Sequence, residues 1–400
     1  MERPKIENAP GLIWRKLTTG WQARWQARHD LVKRGFVPAS INLWSGTELT
    51  DADRLAISDR CQGLQREMLV WGRGGLPLSA TYDGRLKSLA HCYLTDPDSS
   101  YRKTRYRTKG FYSYLCGRIT DQHGDVLVAE INMRQVLRWH GEWGADGKVA
   151  MGHGMVGMLR GILTYGSTIL DCEECRKVRA LLHDMRFAMP KPRTERLTAE
   201  QAVAIRAKAR EMGYYSIALA QALQFELMLR QKDVIGEWVP QSEPGHSETT
   251  YRHLKWLRGV RWSEIDADLV LRHTTSKRGK DIEVDLNLAP MVMEELGRLD
   301  IMPKFGPVIV SETTMRPYVT QEFQRLWRIV ANEAGIPRSV RNMDSRAGAI
   351  SEATDAGADL EHVRHAATHS DIGMTQRYSR SSKDKVRGVM EKRVKHRNEQ

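Results

Sequence analysis

Several things are missing from this 400-residue chain. No apolar run approaches the roughly 20 residues that a membrane-spanning helix needs, which excludes a helical membrane protein. Met1-Glu2-Arg3-Pro4-Lys5 opens the chain without an apolar stretch, so no secretory signal is expected. Cysteine is scarce: the five present are an odd number, scattered over a long chain, which suits a reducing cytoplasm. Cys172 and Cys175 form one C-x-x-C, but no second pair follows. Set in a helical pattern, they read as two side chains on one helix face rather than a metal or redox centre. There is no nucleotide or metal motif, no internal repeat and no low-complexity tract. These absences argue against a small-molecule enzyme built around a cofactor.

Positive charge is what the chain has in excess. Lys and Arg number 62 against 49 Asp and Glu, a net charge of +13. A basic surface draws polyanions, of which DNA and RNA are the usual soluble candidates. A merely basic soluble protein fits the charge as well. Hydrophobic residues make up 41%, enough to fill ordinary cores, and the length suits two or three domains.

Residues 1–95 are rich in Trp and Arg, with a helical stretch around Thr50 to Trp71. Trp14, Trp21 and Trp25 also fall at helix-compatible spacing, which makes them core residues rather than a base-stacking platform. Asp96-Pro97-Asp98-Ser99-Ser100 reads as a boundary loop with a helix cap. Directly after it, Arg102, Lys103, Arg105, Arg107 and Lys109 interleave with Tyr101 and Tyr106, and no acid intervenes. That composition suits phosphate contacts, and equally a solvated helix face.

From Tyr112 to Met185 the pattern is helical, with Asn132 as an N-cap and a Met stripe at Met151, Met155 and Met158 as core filler. Gly154, Gly157 and Gly161 predict close helix packing, not a phosphate loop. Pro190 and Pro192 break the pattern, and Thr198 with Gln201 forms a capping box that opens the next domain. There, Ser216 to Leu229 reads as a buried helix. Leu269–Leu271 and Ile282–Leu286 read as strands of a hairpin turning at Ser276 to Lys280. Helices are expected over Met291–Leu299, Thr320–Ala334, Asp344–Ala356 and Asp359–Ala367.

Five side chains carry the chemistry. Arg230 closes the buried helix, with Asp233 three residues on; Lys277 sits in the hairpin turn; Arg346 opens a helix in Met343-Asp344-Ser345-Arg346. His369 and Tyr378 lie nine residues apart in Thr368 to Tyr378. Singly, each has an ordinary explanation: a surface arginine, an exposed turn lysine, a packed or capping histidine. The ordered set is more specific, and it resembles the tyrosine recombinases, the phage-integrase family. Thr275 to Lys280 corresponds to that family's hairpin with the catalytic lysine, and Asp344-Ser345-Arg346 to its second arginine box. Ala356 to Leu360 and His369 to Tyr378 correspond to its nucleophile box. The resemblance covers about residues 98–400. Two departures stand out. Met343 occupies the place of a histidine, and its sulfur is only a weak acceptor, so a hydrogen bond to the scissile phosphate or tyrosine is lost unless Arg341 or His365 replaces it. Val239 to Gly259 is an insertion, read as a loop with a short helix.

The resemblance implies a mainly α protein with a small β-sheet. An all-helical core-binding domain (98–188) and a mixed α/β catalytic domain (195–385) would form a C-shaped clamp on duplex DNA. Residues 1–95 are an additional N-terminal region of no assigned role, with arm-site or protein contacts as the candidates, and 386–400 a basic tail. By resemblance, Arg230 and Arg346 clamp the non-bridging phosphate oxygens bidentately, the electrostatic work that a metal does elsewhere. Tyr378, a weak nucleophile at a free pKa of about 10, attacks phosphorus. Lys277 protonates the leaving 5′ oxygen, His369 bonds the phosphate or assists proton transfer, and Asp233 supports Arg230. The function implied is site-specific recombination through a 3′-phosphotyrosyl intermediate, with no cofactor, metal or ATP. The alternative is a DNA-binding protein of the same fold with weak or lost cleavage. The partners implied are double-stranded DNA and other copies of the chain, tetrameric on paired sites and monomeric or weakly associated when free. The setting implied is a bacterial cytoplasm and a mobile element.

Overall fold

Along Leu12–Leu17 (β1) and Gly20–Gln26 (β2), apolar residues alternate with Arg15, Gln22 and Arg24, the period of a half-buried strand. A short helix, His29–Lys33 (α1), precedes Ser40–Gly46 (β3), and the three strands pair antiparallel in the order β1-β2-β3. The expected helix through Trp14, Trp21 and Trp25 is therefore corrected. Two strands joined by a tight turn place tryptophans at the same spacing as a helix face. At that turn Gly20 has φ +111, and a Cβ there would lie 2.2 Å from the Gly46 carbonyl oxygen. Trp14 meets Trp21 and Trp44 edge to face, while Trp25 is fully buried. Asp51–Gly72 (α2) closes this core with Ile57, Cys61, Leu64 and Met68, spaced as one helix face.

The structure is a computed structural model. It describes residues 4–34, 36, 38–72, 82–371, 373, 375, 390, 391, 393, 394 and 396–398. The chain divides into two units, Met1–Pro192 and Arg193–Gln400. In the first, a second core is built by Leu86–Thr95 (α3), Tyr106–His123 (α4), Met133–Trp143 (α5), Val149–Thr168 (α6) and Glu173–Asp184 (α7). α3 buries Leu86, Leu89 and Tyr93 in this core. Asn132 caps α5, its Oδ1 accepting from the Gln135 N–H at 3.1 Å. The glycine reading of α6 is corrected as well. A Cβ on Gly154 would only touch Phe111 and Leu115 of α4, at 3.9 and 4.0 Å, one on Gly157 would meet nothing within 4 Å, and one on Gly161 would meet only Met158 of its own helix. The close approach is at Gly166 instead, where a Cβ would lie 2.5 Å from the Cys175 sulfur. Cys172 caps α7, its sulfur accepting from the Cys175 N–H at 3.3 Å, and burial pushes the Cys175 thiol up to about 12. Both are packing residues.

The second unit opens with Ala199–Glu211 (α8), started by the expected Thr198–Gln201 capping box. Tyr215–Glu226 (α9) is buried on nearly every side; helices apolar all round form the centre of a core. Gln231–Ile235 (α10) leads into Glu237–Pro240 (β4), Thr250–Tyr251 (β5) and Leu254–Leu257 (β6), a sheet of order β4-β6-β5. The Val239 to Gly259 insertion is thus a sheet, not a loop with a helix. Trp256 holds it: its ring lies where a Cβ on Gly236 or Gly259 would stand, and its indole N–H donates to the Ile235 carbonyl at 2.9 Å. Val270–Thr274 (β7) and Asp281–Asp285 (β8) form the expected hairpin, with Thr274 opposite Asp281. Pro290–Leu296 (α11), Thr320–Glu333 (α12), Asp344–Asp355 (α13) and Leu360–Ala366 (α14) complete the unit within a residue or two of expectation, save that α11 ends earlier. Among the described residues no helix is long and apolar enough to cross a membrane.

Candidate active site

The buried helix expected to end at Arg230 stops at Glu226, and Met228 then turns the chain with φ +51. Arg230 follows in extended backbone at the start of α10. Its Nη1 donates to Thr368 Oγ1 at 3.2 Å and lies 4.0 Å from Asp233 Oδ2. Asp233 is fully buried, and its other oxygen accepts the Ser276 N–H at 2.6 Å. One carboxylate therefore ties the arginine to the hairpin turn that carries Lys277. The turn itself is closed by Thr275 N–H to the Lys280 carbonyl at 2.8 Å, with Gly279 at φ +62 supplying the left-handed residue. Lys277 projects from it exposed.

Arg346 sits buried in the first turn of α13, donating from Nη1 to the Met228 carbonyl and from Nη2 to the Ala367 carbonyl. The start of α13 is fixed from three sides. Gln221 of α9 bonds Ser345 Oγ at 3.0 Å, Gln224 bonds the Asn342 carbonyl at 3.1 Å, and Arg193 pairs with the buried Asp344 at 2.7 Å. Gly348 lets the helix lie directly on the Leu197 carbonyl. Met343 is 58% exposed at the helix start and makes no capping bond. Arg341 is exposed, and the His365 ring nitrogen lies 3.0 Å from Arg364.

His369 is buried just beyond α14. Its Nδ1 lies 3.0 Å from Thr375 Oγ1, and its carbonyl accepts from Lys280 Nζ at 3.3 Å and Arg364 Nη1 at 3.2 Å. Burial, then the positive charges of Arg346, Arg230, Lys277 and Lys280, push its imidazole down to about 4. Arg230, Lys277, Arg346 and His369 thus come together in one cationic cluster, with Asp233 beneath it. Tyr378 lies outside the described residues, as does most of the 386–400 tail. Thr368 and Lys280 also belong to the cluster; both lie within the motifs singled out in the sequence, but neither is marked there as a site residue.

In the first unit Lys103, Arg105 and Arg107 are exposed and Lys109 is half-buried at the start of α4. Arg102 is half-buried and donates to the Thr95 carbonyl at 2.7 Å, so it also anchors the turn.

In the mixed second unit, two arginines, a lysine next to a hairpin and a histidine surround one point. The model of the phage integrase family matches residues 249–385, and that segment belongs to the family. The fold is that of known integrases. A lambda integrase fragment, solved as a dimer bound to a COC′ core site, aligns with TM-score 0.58 at 17% identity over 74% of this chain and 95% of that one. The longer lambda integrase dimer on the same site aligns with TM-score 0.57 at 18% identity, over 94% of this chain and 96% of that one. The Tn1549 transposon integrase in complex with circular intermediate DNA gives TM-score 0.53 at 12% identity, over 76% of this chain and 99% of that one. No curated protein matches the chain.

Proposed function

We propose that the protein is a site-specific tyrosine recombinase that cuts and rejoins DNA through Tyr378, without metal or ATP. The observation that supports this most is the cationic cluster of Arg230, Arg346 and Lys277 around His369. A phosphodiester anion repels nucleophiles, and its pentacoordinate transition state carries still more negative charge. Two guanidiniums that stay protonated at any working pH stabilise that charge. The phenol of Tyr378 gives up its proton to solvent or a neighbouring base and attacks phosphorus, the 5′ oxygen leaves with a proton from Lys277, and a 3′-phosphotyrosyl bond keeps the phosphodiester's energy for religation. His369, neutral at physiological pH, donates to a phosphate oxygen or assists the proton transfers without adding charge. Asp233 holds Arg230 and the lysine turn in register.

Around this chemistry, residues 98–188, widened to take in α3, act as a core DNA-binding region, with Lys103, Arg105, Arg107, Lys109 and Arg102 on the phosphates. Residues 195–385 form the catalytic domain, and four copies on paired sites are the working form. A lambda integrase tetramer bound to a Holliday junction, which has the same fold, supports that stoichiometry. Met343 favours a second reading, a DNA binder with weak or lost cleavage, because methionine offers the phosphate no proton. The test is adduct formation in EDTA, without nucleotide, on a nicked duplex carrying the sequence that the full-length protein selects from a random pool. A covalent protein–DNA species with a free 5′-hydroxyl supports the recombinase. Selective binding with no adduct supports the second reading.

A further inference from the structure

Met228 and Thr368, neither of them glycine, hold left-handed backbone beside the cluster, each at φ +51. One stands two residues before Arg230 and the other immediately before His369. For a β-branched residue this conformation is unfavourable, whereas glycine adopts it freely. Both turns are held by the same side chain, since Arg346 donates to the carbonyls of Met228 and Ala367. Backbone strain persists where the surroundings over-determine it, and it concentrates at functional sites. At Thr368 the side chain shows what glycine would forgo: Oγ1 accepts from Arg230 Nη1 at 3.2 Å.

We propose that Thr368 is a positioning residue that aims the Arg230 guanidinium at the scissile phosphate, an inference that rests on the recombinase reading above. The Asp233 carboxylate attracts the same nitrogen, but at 4.0 Å it is too far to direct it by a hydrogen bond. The hydroxyl is near enough and is fixed. Its own backbone is pinned by Thr368 N–H to the His365 carbonyl at 2.8 Å, and its neighbour by His369 N–H to the Arg364 carbonyl at 2.9 Å. One turn therefore delivers His369 and orients Arg230 together. A planar fork on a long, rotatable side chain gains most from such a fixed acceptor.

Three full-length variants separate the hydroxyl from the backbone. Thr368→Ser keeps the hydroxyl; Thr368→Val keeps the branched shape without it; Thr368→Gly removes the hydroxyl and relieves the backbone. Adducts are followed in single turnover on the selected nicked duplex, beside duplex affinity, melting temperature and the Arg230 Nε–Hε NMR signal. The expected result is Ser close to wild type, with Val and Gly forming adduct roughly tenfold more slowly at unchanged affinity. The Gly variant, relieved of strain, melts no lower than wild type. A Gly variant that cleaves as fast as wild type overturns the proposal, even if the Val variant fails to fold. The NMR signal decides independently of cleavage. It shifts and broadens in Val and Gly if the hydroxyl orders Arg230, and an unchanged signal also overturns the proposal. A wild type that forms no adduct counts against the recombinase reading, and the Arg230 signal then still decides the role of Thr368.

Discussion

At His369, burial and four neighbouring cations act in the same direction, and both favour the neutral ring. Its folded pKa, about 4, lies below the roughly 6.5 of an unfolded histidine. Between those values the unfolded chain binds more protons, so the stability contributed by the neutral ring is full above about pH 6.5. It is lost as pH falls through 4. An NMR titration of the ring protons, assigned with His369→Gln, should show this histidine silent near pH 6.5 and titrating near 4; a midpoint near 6.5 contradicts the buried cationic setting. Asp233 is the second decisive residue. Asp233→Ala leaves the Ser276 N–H and Arg230 without their shared partner, and should lower stability by about 1–3 kcal/mol, measured by urea unfolding. Asp233→Asn, which keeps the acceptor for Ser276, should recover part of that loss. Arg230, Lys277, Arg346 and His369 stand out in the sequence as an ordered set like that of a known family, and the structure brings them into one cluster. Thr368 and Lys280 do not stand out: their roles depend on a backbone angle and on a contact between positions 89 residues apart.

Elements were legible wherever their signals are local. The Thr198–Gln201 box, the Asn132 cap and the β7–β8 turn each depend on a few adjacent residues. The β1–β2 pair looks helical in sequence because two short strands around a turn repeat tryptophan at a helical interval. The β4-β6-β5 sheet was hidden by Pro240, Pro244 and Gly245, which mark the turn and mask the strands beside it. The α6 glycines misled for another reason: absence of a side chain does not say whether a neighbour fills the space. Where a neighbour does, the element is sensitive. On Gly348 of α13 a Cβ would lie 1.7 Å from the Leu197 carbonyl oxygen. Gly348→Ala must push α13 outward and move Arg346 with it. The expected loss is about 1–3 kcal/mol, read by thermal unfolding, together with slower adduct formation. An unchanged melt would show that the helix has room to shift.

For the whole molecule, the division after Pro192 falls at the proline break that the sequence shows near residue 190. What the N-terminal sheet does is not written in its composition. The net charge of +13 bears on the partner. If many lysines and arginines meet phosphates, each contact releases counterions, and log affinity falls with log salt by about 0.9 per contact. A duplex should therefore bind on the order of 10³-fold or more weakly at 200 mM than at 50 mM salt. A shallow slope would mean that the basic surface serves something other than DNA. The central claim concerns one oxygen atom, that of Tyr378. The most direct measurement traps the full-length protein on the selected nicked duplex and maps the linked peptide by mass spectrometry, beside Tyr378→Phe. A phosphonucleotide on Tyr378 in wild type and no adduct in Tyr378→Phe is the predicted result; an adduct that survives in Tyr378→Phe contradicts it.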